Sequence, residues 1–291
     1  MIAYLTDENS NTVFNTIISA AELSAQLTNP DWRIVDCRHY LEDTEQGRSA
    51  YTEGHIPGAI FAHLDENLSG PIEAGSTGRH PMPCVTAMQQ QFSKWGIDAD
   101  TQVVAYDDKN GAIAARLWWM LRYLGHEAVA VLDGGLAAWL RAGGALSTSV
   151  PTISAKSFSA RPRADWVQEA EQVNQDRQNA QKVVVDSRAP ERYRGAVEPI
   201  DPVAGHIPGA VNMPFAGNWQ DDGLLKSPEE LRQRFAHLPA AEHVTFYCGS
   251  GVTACHNLLA YAHAGLGDAR LYPGSWSEWI VDPGRPVATE D

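Results

Sequence analysis

Along this chain, short apolar runs of strand length alternate with stretches whose apolar positions follow a helical period. In the first half, Arg33 to Asp36, Gln102 to Tyr106 and Ala128 to Leu132 read as strands. Between and after them, Thr86 to Trp95 reads as a helix stopped by Gly96, Ala112 to Tyr123 as a helix stopped by Gly125, and Leu136 to Arg141 as a last helix. Strands that lack a polar alternation are covered on both faces. The pattern therefore predicts an α/β fold with a mainly parallel sheet flanked by helices. Ser-x-x-Glu boxes at Ser19 and Glu22, Ser227 and Glu230, and Ser275 and Glu278 mark three helix starts, the second reinforced by Pro228.

The pattern is written twice. Val35-Asp36-Cys37-Arg38 returns as Val185-Asp186-Ser187-Arg188, and Gly54-His55-Ile56-Pro57-Gly58-Ala59 returns unchanged at Gly205 to Ala210. Gln102 to Tyr106 answers His243 to Tyr247, and Leu132-Asp133-Gly134-Gly135 answers Leu271-Tyr272-Pro273-Gly274. Markers in the same order at this spacing indicate a duplicated domain rather than a solenoid. The expected division is a first domain over 15–145, a Ser/Pro-rich linker over 146–163 and a second domain over 164–287.

Composition narrows the function. With 291 residues, each half is long enough to bury its own core, and a hydrophobic content of 44% is that of a globular protein. A formal charge of -14 without a Lys/Arg cluster argues against a nucleic-acid surface. Met1 to Glu8 has neither a basic start nor an apolar stretch, so neither a signal peptide nor a membrane span is expected. Four cysteines (Cys37, Cys84, Cys248, Cys255) without a leader suit reduced thiols in the cytoplasm. The absence of a Cys-x-x-Cys pair and the scattered histidines give no reason to expect a structural zinc or other metal site.

The chemistry is marked at Cys248. It ends the run Val244 to Tyr247 and opens the loop Gly249-Ser250-Gly251-Val252-Thr253, which leads into a helix expected from Val252 to His263. Successive amides of such a loop form an anion-binding concavity, and the helix N-terminus adds partial positive charge; both stabilise negative charge on sulfur. In an open parallel sheet, sites form beyond the carboxyl ends of strands, where Cys248 falls.

The duplication acts as an internal control, since residues found in both halves are expected to serve the fold. Asp36 and Asp186, Arg38 and Arg188, and His55 and His206 fall in that class. Asp107 stands in the place of Cys248, so the first half is expected to be a non-catalytic partner. Arg192 and Arg194 exist only in the second half; an arginine suits a carboxylate or sulfonate, and Arg192 is the better candidate. Ser250 is either a donor to a bound anion or a helix cap, Thr253 is expected to cap, and Cys255 reads as a packed residue rather than a resolving thiol.

Two Asp-x-Arg plus Gly-His-Ile-Pro-Gly-Ala halves, with Cys248-Gly249-Ser250-Gly251-Val252-Thr253 only in the second, resemble the tandem-domain sulfurtransferases of the rhodanese superfamily, over roughly residues 15 to 287. The resemblance implies two rhodanese-like domains with the active site in the cleft between them. It implies a persulfide on Cys248, loop amides of Gly249, Ser250, Gly251, Val252 and Thr253 around the sulfur, and Arg192 on the donor's anionic group. No cofactor is implied. The partners implied are a small anionic sulfur donor and an acceptor that is a thiol, a thioredoxin-like protein or cyanide. The loop is similar to that of 3-mercaptopyruvate sulfurtransferases, whereas thiosulfate sulfurtransferases carry basic residues at the positions of Gly249 and Ser250. One departure is Ile200, which stands where mercaptopyruvate enzymes place a second arginine after Glu198-Pro199. The serine–histidine–aspartate relay of that family would use Ser250 and His55 here, with Asp43 and Glu45 near the expected position of the acid and Thr44 on it.

Two other readings remain to be separated. Phosphatases and arsenate reductases of the same architecture end the cysteine loop with an arginine, but Ala254 stands at that place. A persulfide carrier or regulatory sulfur-binding module would keep the loop yet pass sulfur only to a partner protein.

Overall fold

The computed structural model describes residues 13–289; Met1 to Glu8, which carry the expectation about a leader, lie outside the described residues. The first half forms a five-stranded sheet from β1 (Ile17–Ile18), β2 (Trp32–Asp36), β3 (Ile60–Phe61), β4 (Gln102–Tyr106) and β5 (Val129–Leu132). Its order is β1-β5-β4-β2-β3 and each pairing is parallel. The second half forms a four-stranded parallel sheet, β7-β6-β8-β9, from β6 (Val183–Asp186), β7 (Val211–Asn212), β8 (Val244–Tyr247) and β9 (Arg270–Leu271). The repeat is visible in the register: Asp36 lies opposite Tyr106, and Asp186 opposite Tyr247. Helices of the first half are α1 (Ala20–Ser24), α2 (Gln46–Glu53), α3 (Leu64–Asn67), α4 (Val85–Lys94), α5 (Ala114–Tyr123) and α6 (Gly135–Arg141). Those of the second are α7 (Ala170–Asp176), α8 (Pro190–Tyr193), α9 (Pro228–Phe235), α10 (Ala254–His263) and α11 (Ser275–Trp279).

Two of the expected capping boxes form: Ser19 with Glu22 opens α1 and Ser227 with Glu230 opens α9. The third does not. Ser275 lies inside the first turn of α11 with φ 55, and its hydroxyl turns back to donate to Tyr272 O and accept from Cys248 N. The helices expected from Ala112 and Val252 begin at Ala114 and Ala254, because the preceding residues belong to the loop at the strand end.

The residues shared by the two halves occupy matching buried positions. Arg38 binds Asp36 through Nε and Nη2 and donates to Gly54 O at 2.7 Å; Arg188 does the same with Asp186 and Gly205 O, also at 2.7 Å. His55 and His206 each place Nδ1 2.7 Å from a carbonyl, of Tyr51 and Tyr193, and each stacks on that tyrosine ring. An arginine that both neutralises an acid and ties down the carbonyl before the His-Ile-Pro-Gly turn fixes the loop at the strand end.

The two halves share one apolar core, running from Val103 and Leu117 to Phe246 and Leu259, with α5 against α10. Polar bonds cross the same seam: Trp219 Nε1 donates to Asn110 O at 3.1 Å, Leu225 N to Asp133 Oδ1 at 2.8 Å. Residues 148–163 carry no helix or strand, yet they are a packed strap. Phe158 is buried against Phe92, and the amides of Lys156 and Arg161 donate to Ser93 O and Leu124 O. Among the described residues no helix is long and apolar enough to cross a membrane.

Candidate active site

Cys248 follows β8 directly and is only 2% exposed. The α11 segment holds its loop from below: Trp276 N donates to Cys248 O at 3.0 Å and Ser277 N to Gly249 O at 2.9 Å. Gly251 has φ 75 and lies against the Pro273 main chain, so the loop doubles back there as only glycine allows without strain. Cys248 opens onto a cavity of about 170 Å³ in the cleft between the halves, shared with Arg79, His80, Arg192 and Ser250.

The first half shows what such a loop does with a negative charge. The Asp107 carboxylate, at the position answering Cys248, accepts four amide bonds, from Lys109, Gly111, Ile113 and Ala114, at 2.7 to 2.8 Å. Burial pushes the Asp107 carboxyl up, and the four amides oppose that shift. In the second half none of the amides from Gly249 to Thr253 donates to another described residue. One loop is closed by its own carboxylate, while the other keeps its donors available beside a sulfur.

Ser250 does not meet His55. Both ring nitrogens of His55 face main-chain carbonyls, Tyr51 O at 2.7 Å and Ser149 O at 3.1 Å, and the residue serves the turn as His206 does. The ring beside Ser250 is His80, with Nδ1 2.7 Å from Ser250 Oγ and Nε2 3.2 Å from Asp65 Oδ1. Ser250, His80 and Asp65 thus replace the expected set of Ser250 and His55 with an acid near Thr44. Burial pushes the His80 imidazole below its ordinary value against the pull of Asp65, and the hydrogen bond to His80 holds the Asp65 carboxyl low. A neutral ring that donates from Nε2 to Asp65 and accepts at Nδ1 from the Ser250 hydroxyl satisfies all three groups.

Arg192 lines the cavity, but much of its fork is engaged: Nε and Nη2 donate to Glu198, and Nη2 also reaches Asp201 at 3.1 Å. Burial alone would raise the Glu198 carboxyl, but the hydrogen bonds from Arg192 hold it low. Its Nη1 lies 3.5 Å from where a Cβ on Gly249 would stand. A second guanidinium, from Arg79 of the first half, reaches the same place. Its Nη2 is 3.1 Å from that same point, Nη1 pairs with Asp201, and Nε is buried without a partner. Two arginines therefore face Gly249 and share Asp201, with Ile200 also on the cavity wall.

Arg116 escaped the sequence reading. It lies fully buried in α5, without an acidic partner among the described residues. Its guanidinium donates to Gly251 O at 2.9 Å, His80 O at 3.3 Å and Leu68 O at 3.4 Å, tying the cysteine loop to the segment that carries His80. Burial pushes its pKa down while the sulfurs of Cys255 and Cys248 oppose that. The remaining candidates fall into place around it. Thr253 stands at the start of α10 without a side-chain cap bond and faces the cavity, which corrects the capping expectation. Cys255 is buried with Sγ 3.4 Å from Gly251 O, and burial pushes its thiol up to about 12, which suits a packed residue. Arg194 is half-buried beside Glu191, outside the cavity.

Comparison with known proteins agrees with this architecture. The family model for the rhodanese-like domain matches twice, at residues 19–142 and 169–282. A probable 3-mercaptopyruvate sulfurtransferase of Pseudomonas aeruginosa is 49% identical over 94% of this chain and 98% of its own. A thiosulfate sulfurtransferase of Rattus norvegicus is 36% identical over 90% of this chain and 89% of its own. The solved structure of SseA from Escherichia coli, reported for the mechanism of 3-mercaptopyruvate sulfotransferases, superposes with a TM-score of 0.78 at 30% identity, covering 91% of this chain and 100% of that one. With both matched regions folded as parallel sheets under helices and a cysteine loop in the second alone, the chain belongs to the rhodanese family, as one of its two-domain sulfurtransferases.

Proposed function

We propose that the protein takes sulfur from 3-mercaptopyruvate onto Cys248 and passes it to a thiol acceptor. The observation that carries the choice of donor is the Ser250–His80–Asp65 chain on the cavity wall. When the Cys248 thiolate attacks the thiol sulfur of 3-mercaptopyruvate, the carbon–sulfur bond breaks and its electron pair goes to C3 of pyruvate as an enolate. That carbon needs a proton. Moved through Ser250 and His80, the proton of the donor thiol can end on C3, leaving pyruvate and a deprotonated Cys248 persulfide with atoms and charge in balance. Thiosulfate asks for no such relay, because its leaving group, sulfite, is stable as an anion.

Arg79 and Arg192 hold the donor carboxylate in this reading, the first supplying the guanidinium that Ile200 does not. The available amides of Gly249 to Thr253 then hold the persulfide, as their counterparts hold the carboxylate of Asp107. A reduced thioredoxin-like protein, a small thiol or cyanide removes the outer sulfur. The four unpaired cysteines suit a reducing compartment, the cytoplasm. Thiosulfate is the second reading, favoured by the single observation that Ile200, not an arginine, lines the cavity. Steady-state turnover of His80→Ala on both donors separates them. We expect a loss of about 100-fold or more in kcat with 3-mercaptopyruvate, the size of a general acid–base contribution, and a much smaller loss with thiosulfate. Equal losses on both donors would remove the argument for 3-mercaptopyruvate.

A further inference from the structure

We propose that His39, Asp65 and His80 form a binding site for a zinc-class divalent cation on the wall of the cleft, and that an ion held there switches off the Ser250 relay. The switching half rests on the relay proposed above; the site itself does not. One ligand atom from each of the three residues lies within 4.8 Å of the others. Zinc holds nitrogen and oxygen at about 2.0–2.2 Å, so closing the set requires movements on the order of an ångström, within reach of side-chain rotation.

His39 supplies the independent observation. It is 2% exposed, and both its Nδ1 and Nε2 are buried without a hydrogen-bond partner among the described residues. Burying an imidazole with neither nitrogen satisfied is costly, and nothing in the relay requires this residue. The chain fixes it firmly, one position after Arg38, whose guanidinium is locked on Asp36. Its ring stands edge-on to His80, with centroids 6.3 Å apart. The neighbouring His63 is not a fourth ligand. Its Nδ1 accepts from the amides of Asp65 and Glu66, and its Nε2 faces Thr44 O at 3.0 Å. Those bonds instead hold the first turn of α3, and with it Asp65, in place.

Two imidazoles and one carboxylate are a donor set for zinc rather than for magnesium or calcium, which prefer oxygen alone. The Asp65 side chain is 41% exposed, which gives an ion a way in and leaves room for a water ligand. The consequence for the relay follows from proton counting. A neutral imidazole carries one proton, and a cation on His80 Nε2 confines it to Nδ1. That nitrogen then donates to Ser250 Oγ and can no longer accept its proton.

The test uses the full chain with Cys248→Ser, which keeps the loop thiol from binding metal. Titration with zinc chloride by calorimetry, and with cobalt(II) followed by its visible absorption, should give one ion per chain with nitrogen and oxygen ligation. His39→Ala and Asp65→Asn should each weaken binding by about tenfold or more; His39→Gln serves should His39→Ala fold poorly, with circular dichroism to confirm each fold. In the protein with Cys248 intact, micromolar zinc should slow 3-mercaptopyruvate turnover reversibly with EDTA. The His39→Ala protein, compared with its own zinc-free rate, should lose that sensitivity. No binding to the Cys248→Ser protein, or binding undiminished in both His39 variants, overturns the site. Binding with no effect on turnover overturns the switch. Should the protein turn over no donor while Cys248→Ser still binds zinc through His39, the relay reading fails and the site stands.

Discussion

At the scale of single residues, the arrangement around Gly249 decides what the cleft can hold. Arg79 and Arg192 approach the same point from different halves of the chain, and Asp201 binds both. The acid binds both forks and lowers their combined charge, which under the proposed function favours one carboxylate over a compact dianion. Arg79→Met should therefore raise KM for 3-mercaptopyruvate and lower Tm modestly, because buried Asp201 then keeps only Arg192. The loss in kcat/KM should correspond to about 1.5–3 kcal/mol, the range for a hydrogen bond to a charged group. Arg192→Met should lose a similar amount in kcat/KM and also stability, because it leaves Glu198 buried beside Arg188 alone. Kinetics of Arg79→Met indistinguishable from wild type would return Arg79 to a purely structural contact between the halves.

At the scale of elements, the two loops that follow β4 and β8 are the same device in two states. Asp107→Asn removes the charge that four amides point at, and an amide group cannot accept from all of them. We expect a loss of about 2–3 kcal/mol in unfolding free energy with activity retained at temperatures where the protein stays folded. Gly251→Ala should do the reverse of sparing activity: a Cβ there meets the Pro273 main chain, so the cysteine loop itself must move. Arg116→Met removes the guanidinium that joins Gly251 O to His80 O, and should lower kcat by about tenfold or more with a smaller effect on KM. The longer strands were legible because each carries a local apolar signal, and β4 spans Gln102 to Tyr106 as its run indicates; β1, β3 and β7, two residues each, carry no such signal and were not foreseen. The Ser275 box failed because its hydroxyl serves Cys248 N instead of the helix. The Ser250–His80–Asp65 contacts were not legible, since His80 and Ser250 come from different halves and no spacing connects them. The repeated His55 drew attention because it sits in a conspicuous motif, and that motif proved to build a turn. Arg116 did leave a trace, a charge in the middle of the mostly apolar helical run that also carries Arg122 near its end.

At the scale of the whole molecule, the cleft exists only while the two halves stay docked, and the seam contains a histidine that must remain neutral. His256 is 1% exposed, with Nδ1 3.2 Å from Asn218 Nδ2 and Nε2 3.1 Å from Asn110 O, and burial pushes its imidazole down to about 4. A folded-state value below the unfolded one, about 6.5, means the unfolded chain binds more protons in between. The contribution of His256 to stability is therefore complete above pH about 6.5 and is lost as pH falls from there toward 4. Thermal or urea unfolding should show on the order of 2 kcal/mol lost by pH 5 from this group, and His256→Gln should flatten that decline. An unchanged slope in His256→Gln would place the acid sensitivity elsewhere. Chemistry in the cleft is read out by single-turnover persulfuration of Cys248, followed by intact-protein mass with either donor. A gain of about 32 Da, one sulfur, is expected, and it should be absent in Cys248→Ser. It should form at least about tenfold faster from 3-mercaptopyruvate than from thiosulfate, a difference of about 1.4 kcal/mol in barrier. A faster gain from thiosulfate, or a gain that survives Cys248→Ser, would contradict the proposed function.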